Sequence, residues 1–406
     1  MRPHPLTRVR VFAVLQVPIR SPLTHTAVPM SVPAVAAALP PQPPADASSC
    51  DPMLSPALRA LCPLVRVPLW SAPMGSMAGG ALAAAVGEAG GCGMIGAGAG
   101  RNLPWLQEQI KIVHDRLQAS KEPEATTGAA ESSSHIRASA AAGGFMWGIG
   151  FLTFCLDVAP AALDLALAAR PLPDVVFLSF PRADSDGGRA YADRAHAAGV
   201  RCVLVQLQTV AEAVSASEWA DGIVAQGDEA GGHGASTLST LELVRQVREA
   251  ISKKPNSKTK IVLAAGGIGC GADLANALRA GADGALLGSR FLACAELISS
   301  NKSMAVAARG SETVRSALPD ALACPGVFPP PINGRAWLSP WMRQYVARES
   351  ELGPDAAAAF KSGPDGGNVL WAGPAVEHVR TLNEPAADIV RNIAEEATNK
   401  LRETKE

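Results

Sequence analysis

His233 stands among glycines, in the run Gln226-Gly-Asp-Glu-Ala-Gly-Gly-His233-Gly234. Glycine removes Cβ and frees φ and ψ, so this backbone can lie close against a flat ligand. A neutral imidazole beside a substrate carbon accepts a proton, and its cation stabilises an anion. A lone histidine more often binds backbone in a capped loop. This one follows the C-terminus of an apolar run, which favours the chemical reading. Asp228 and Glu229 can pair with a basic group, orient the loop or be solvated, and the sequence leaves that open.

Two further glycine sites follow in order. Ala265-Gly266-Gly267-Ile268 ends one apolar run, and Gly288-Ser289 ends the next. Backbone N–H groups at such positions cradle a phosphate, and Ser289 adds a hydroxyl donor. Ordinary tight turns would look the same singly; two in succession point to a phosphate-bearing cofactor. Pro73 and Met74 end the first apolar run, where proline stiffens a loop and methionine offers a soft apolar contact. Gln206 and Gln226 each end an apolar run and, if buried, need partners. A ring with several heteroatoms would supply them, as would a neighbouring loop.

The elements that must position these residues read as eight strand–helix units. The apolar runs are Pro68–Met74, Cys92–Ala97, Met146–Phe154, Val175–Phe180, Arg201–Gln206, Gly222–Gln226, Ile261–Ala265 and Gly284–Gly288. They are continuous rather than alternating, as in parallel strands buried on both faces. Helical patterns follow them, among them Gly79–Ala89, Leu103–Leu117 and Ala159–Ala169. The expected class is α/β, a (β/α)8 TIM barrel, with an open doubly wound sheet as runner-up. In a barrel, functional groups sit just past the strand C-termini, where all the residues above fall. Residues 51–310 are expected to form the barrel, with a mobile insertion at about 120–142 that is rich in Ala, Ser, Thr and Glu. Residues 311–406 read as a C-terminal extension packed on the barrel, helical from Glu384 to Glu403.

Taken together, these pieces resemble the nitronate monooxygenase family, formerly the 2-nitropropane dioxygenases. The matching set is Ala72-Pro73-Met74, Gly150-Phe151, Val205-Gln206, the His233 loop, Ala264 to Ile268, Ala277 to Gly284 and Leu287-Gly-Ser-Arg-Phe291. Weaker matches continue through Thr313-Val-Arg315, Phe328-Pro329, Gly334-Arg335 and Trp371-Ala-Gly373, most like the fungal-type members. The resemblance implies an FMN enzyme that oxidises alkyl nitronates, and in some members neutral nitroalkanes, with O2 to a carbonyl compound and nitrite. It assigns the catalytic role to His233. It assigns flavin contacts to Pro73, Met74, Gln206, Gln226, Gly231 and Gly232, and phosphate contacts to Gly266, Gly267, Gly288 and Ser289. The chain departs from the family where Asp-Gly-Arg often follows Gly-Gly-Ile: here the residues are Gly269-Cys-Gly-Ala272. Ser289 replaces a commoner threonine and keeps the hydroxyl. Two other readings use the same architecture: an FMN- and NAD(P)H-dependent enoyl-thioester reductase, and a non-catalytic flavin-binding barrel.

Composition bounds the rest. With 406 residues, 48% of them hydrophobic and 18% charged, the chain can bury a large core. Its formal charge of −1 gives no general attraction to nucleic acid or an anionic membrane. No apolar run has the length of a membrane span. Abundant Ala and Gly suggest helices packed closely on strands. The eight cysteines lack metal-site or redox spacing, so buried thiols and no metal are expected. The first 45 residues contain arginines but no acidic residue, and Pro40 to Pro44 is proline-rich. Residues 1–50 are therefore expected to be a disordered or targeting extension, resembling a mitochondrial transit peptide, or to stem from a mistaken start. A cytoplasmic protein is expected, with mitochondrial location as the alternative. The expected partners are a small nitronate or nitroalkane and O2. Homo-oligomerisation stays open.

Overall fold

Alternation along each strand decides what its residues face. The computed structural model describes residues 53–120, 144–180, 188–255, 260–323, 328, 331–346, 354–363 and 368–403. Eight parallel strands close a barrel: β1 (Leu69–Ser71), β2 (Cys92–Gly96), β3 (Met146–Leu152), β4 (Val175–Ser179), β5 (Cys202–Leu207), β6 (Gly222–Gln226), β8 (Ile261–Ala265) and β9 (Gly284–Leu287). β9 returns to β1 with Trp70 opposite Leu286, which shuts the sheet on itself. Phe177, Leu204 and Leu263 pack inside with Trp70 and Met94. Their chain neighbours Val176, Val203 and Val262 pack outside against the helices. Both faces are thus apolar, which explains the continuous apolar runs.

The helices lie close because their contact residues are small. In α2 (Gly80–Glu88), Ala83 presses its carbonyl on β2, where a Cβ on Gly93 would sit 1.8 Å from that oxygen. A short helix, α1 (Pro56–Leu61), places Leu58 and the following Cys62 and Val65 against the interior at the N-terminal end of the strands. The outer ring continues with α3 (Leu103–Ala119), α4 (Thr153–Leu156), α5 (Ala161–Ala168), α6 (Arg189–Ala198), α7 (Val210–Ala216), α8 (Thr240–Ser252) and α9 (Gly271–Arg279).

Past the barrel lie a 3-10 turn (Ser289–Phe291), α10 (Lys302–Ala307), β10 (Thr313–Ser316), α11 (Leu318–Ala323), β11 (Asn333–Trp337), α12 (Arg343–Val346), α13 (Pro354–Lys361), a second 3-10 turn (Pro374–His378) and α14 (Ala386–Arg402). α14 is strongly amphipathic and buries Ile389, Val390 and Ile393. Its Glu396 accepts hydrogen bonds from the N–H groups of Gly271 and Ala272, so the tail caps α9. Leu318, Leu322, Ala336, Met342 and Phe360 form a second, smaller core.

One finding departs from the sequence reading. The glycine loop carries a strand, β7 (Gly232–Gly234), in a three-stranded antiparallel sheet ordered β10-β11-β7. β7 is too short and glycine-rich to show a strand period, and its partner lies about 100 residues away. The segment at about 120–142 and residues 1–50 lie outside the described residues. So do Cys50, Cys324 and Pro329. The described cysteines are free thiols. No described helix is long and apolar enough to cross a membrane.

Candidate functional site

Inward positions at the C-terminal ends of the strands line one cavity of about 340 Å3. The period of two that sends Val175 and Phe177 inward also sends Ser179; Cys202 and Leu204 are followed by Gln206, and Val224 by Gln226. At this end, the apolar interior gives way to polar groups. Pro73, Met74, Gln206, Gln226, Gly231, Gly232, His233, Gly266, Gly267, Gly288 and Ser289 all border this cavity.

β1 delivers Pro73, and β3 makes room for it: a Cβ on Gly150 would lie 2.3 Å from the Pro73 ring. Gly266 (φ 118°) and Gly267 (φ 71°) hold left-handed conformations that a side chain would strain. Ser289 Oγ accepts from Gly373 N at 2.9 Å, which leaves its hydroxyl hydrogen to donate. Its backbone begins the first 3-10 turn, beside Gly288.

The glutamines are partnered mainly with each other. Gln206 and Gln208 both donate to Gln226 Oε1 at 2.7 Å, and Gln226 Nε2 donates to the His233 carbonyl at 3.0 Å. The Gln226 amide thus holds the histidine loop while its side chain borders the cavity. Gln206 Oε1 has no protein partner among the described residues and remains available to a ligand. Gln208 was not singled out in the sequence, because it lies past the strand end.

His233 is gripped on every side. Its neighbours in β7 pair with β11, His233 opposite Gly334. Nε2 lies 2.6 Å from Asp320 Oδ1, and both side chains are largely buried. The ring stacks on Phe328 with centroids 3.5 Å apart and lies tilted against Trp371 at 4.6 Å. Trp371 reaches it because residue 334 is glycine: a Cβ there would lie 2.1 Å from the indole. Phe180 meets Phe328 edge-on and carries a positive φ of 54°, a conformation that costs a non-glycine residue about 1–2 kcal/mol. The Thr153 hydroxyl donates to the carbonyls of Ser179 and Phe180, which holds that turn.

Asp228 and Glu229 have definite partners. The Asp228 carboxylate bridges Arg315 at 2.9 Å and Arg335 at 2.6 Å. Arg315 also donates to the carbonyls of Asp228, Ala230 and Asn333. Burial, and then the nearby Arg335, lower Arg315 below the usual guanidinium value. Glu229 accepts from the N–H and hydroxyl of Thr240 at the start of α8. Both acids therefore shape the loop from outside the cavity. Asp320 had no signal in the sequence, since nothing local marks a carboxylate 87 residues from its histidine.

Comparison with known proteins bears on this arrangement. The profile of the nitronate monooxygenase family matches residues 175–312. A nitronate monooxygenase from Neurospora crassa is 30% identical over 359 residues, 82% of this chain and 89% of its own. Nitronate monooxygenase npaC from Metarhizium robertsii is 32% identical, over 84% of this chain and 94% of its own. Among solved structures, nitroalkane oxidase from Streptomyces ansochromogenes superposes with a TM-score of 0.61 at 26% identity, covering 86% of this chain and 100% of that one. FabK from Thermotoga maritima shares the fold, with a TM-score of 0.65 at 20% identity over 86% of this chain and 97% of its own.

Proposed function

The chain belongs to the nitronate monooxygenase family, and we propose that it oxidises alkyl nitronates with O2 on a bound FMN, giving a carbonyl compound and nitrite. The observation that carries this reading is convergence: His233 and each residue expected to touch a flavin or its phosphate border one cavity. Its volume of about 340 Å3 lies in the range of small-molecule sites.

The cavity suits the cofactor. Ser289 has a hydroxyl hydrogen to donate, and Gly266, Gly267 and Gly288 keep Cβ atoms away from an anion, so these four would hold the phosphate. Gln206 offers its free oxygen to a ring N–H, while Pro73, Met74, Gly231 and Gly232 would border the ring. FMN held there would supply the electron transfer from substrate to O2. The protein's own work lies at His233. With Nε2–H donated to Asp320, the lone pair is on Nδ1, which would accept the α-proton of a neutral nitroalkane. A nitronate arrives already deprotonated and needs no base. Phe328 and Trp371 keep the imidazole from turning and exclude water beside it. Residues 51–310 would then be the catalytic barrel, and 311–406 an extension that supplies the walls around His233.

The test is direct. The purified protein should be yellow, with a flavin spectrum, and should release nitrite while consuming O2 when given propionate 3-nitronate. Protein that takes up no flavin overturns the cofactor assignment. Flavin that is reduced anaerobically by NADH or NADPH, with no nitrite released from any nitronate, would establish the reductase instead.

A further inference from the structure

Outside the cavity, three chemically different donors meet where the chain departs from its family. Cys270 Sγ lies 3.2 Å from Asp273 Oδ2, and His378 Nε2 lies 3.5 Å from the same oxygen. The three donor atoms fall within 4.8 Å of one another. Glu377 brings Oε1 to 3.3 Å from His378 Nε2. We propose that Cys270, Asp273 and His378 form a binding site for a zinc-class divalent cation, with solvent in the fourth position.

The distances fit the chemistry. Metal bonds of about 2.0–2.3 Å at tetrahedral angles put neighbouring donor atoms roughly 3.3–3.8 Å apart. The two separations from Asp273 Oδ2 lie at or near that spacing, and Cys270 Sγ and His378 Nε2 lie within 4.8 Å of each other, before any ion draws them in. One thiolate, one imidazole and one carboxylate make a set that suits Zn2+ and disfavours Mg2+ or Ca2+, which want oxygen alone. Helix capping accounts for part of the arrangement, since Asp273 accepts from the N–H groups of Gly269 and Cys270. The Cys270 thiol joins that cap as the partner of the Asp273 N–H, so capping accounts for both residues, though Ser, Thr, Asp or Asn would cap better. It does not account for the histidine. A Cβ on Gly269 would meet the His378 ring at 2.4 Å, so the loop is shaped to admit that imidazole.

Such an ion would clamp the second 3-10 turn to the loop that follows Gly266 and Gly267. Ala375 of that turn borders the cavity, so the clamp and the site share a wall. An ordinary cysteine thiol, with a pKa of about 8.5, is mostly protonated at neutral pH. Binding breaks the S–H bond, forms a sulfur–metal bond and releases one proton to solvent, with no change of oxidation state.

The experiment uses full-length protein stripped with a chelator and titrated with Co2+, then Zn2+. One equivalent of Co2+ should bring up a thiolate-to-cobalt charge-transfer band, which Zn2+ bleaches. Calorimetry in two buffers of different ionisation enthalpy should count one proton released. C270S should abolish the band and weaken binding on the order of 100-fold or more. H378Q should weaken it as strongly, and neither variant should gain thermal stability with Zn2+. A cobalt complex lacking the thiolate band, or equal affinity in wild type and C270S, overturns the proposal. If C270S fails to fold, H378Q and the wild-type cobalt spectrum decide alone.

Discussion

The proton chemistry depends on which ring nitrogen of His233 is free. Replacing His233 by Asn should cut kcat/KM for neutral nitroalkanes by about 100- to 10,000-fold, the usual worth of a general base. Turnover of propionate 3-nitronate should fall less than about tenfold. Nitrite release from both substrates checks this, and equal losses would remove His233 as the base. Asp320 should act through His233: D320A frees Nε2 to take either tautomer, lowering nitroalkane turnover roughly 10- to 100-fold while nitronate turnover stays near wild type. D320N, which can still accept from Nε2–H, should recover most of the loss.

A second residue-scale prediction concerns stability. Burial pushes the Asp174 carboxyl up to about 6, against the pull of the Trp147 N–H and of Arg201. The folded chain therefore holds that proton more tightly than the unfolded chain. The group's contribution to stability is complete below about pH 4 and is lost as pH rises through 6, by at most about 3 kcal/mol given its partial exposure. D174N should melt higher than wild type near pH 7.5 and match it near pH 4. A gain that persisted at pH 4 would place the effect in packing instead of charge.

At the scale of elements, the salt bridges of Asp228 tie the His233 loop to β10 and β11. R315A removes a buried guanidinium that serves four carbonyls, those of Asp228, Ala230, Gly232 and Asn333, and one carboxylate. It should cost roughly 2–4 kcal/mol in denaturant unfolding and depress nitrite release beyond what lost stability explains. R335A should cost less, because Arg335 serves fewer groups of the loop. The barrel strands were legible in the sequence because burial on both faces writes continuous apolar runs. Gln206 and Ser289 were legible because polar residues closing such runs stand out. β7, β10 and β11 were not, because short strands signal through partners far along the chain. For the same reason the arginines Arg315 and Arg335 entered only as fragments of a family likeness, and Asp320 not at all. Cys270 was read as one more scattered thiol, since its neighbours His378 and Asp273 come together only in three dimensions.

For the whole molecule, the barrel and the tail divide the work. The strands bring the cavity-lining groups to one end, whereas the tail supplies Asp320, Phe328, Trp371 and both arginines. A chain ending at residue 310 should lose nitroalkane and nitronate turnover. It should also lose thermal stability, since α14 covers α9 and α2 and shields apolar helix faces. Activity and melting of the truncated protein, compared with H233N, would separate loss of the walls from loss of the base.

The pairing of His233 with Gly334 sets a timetable for the ribosome. Every barrel strand has been translated by residue 287, but the strand that straightens the histidine has no partner until β11 emerges. Domains fold as they leave the ribosome, earlier parts first. A nascent chain thus passes through a stage with a nearly complete barrel and an unfinished catalytic end. A stop codon between residues 288 and 332 would fix the protein in that stage, with His233 made but its strand unpaired.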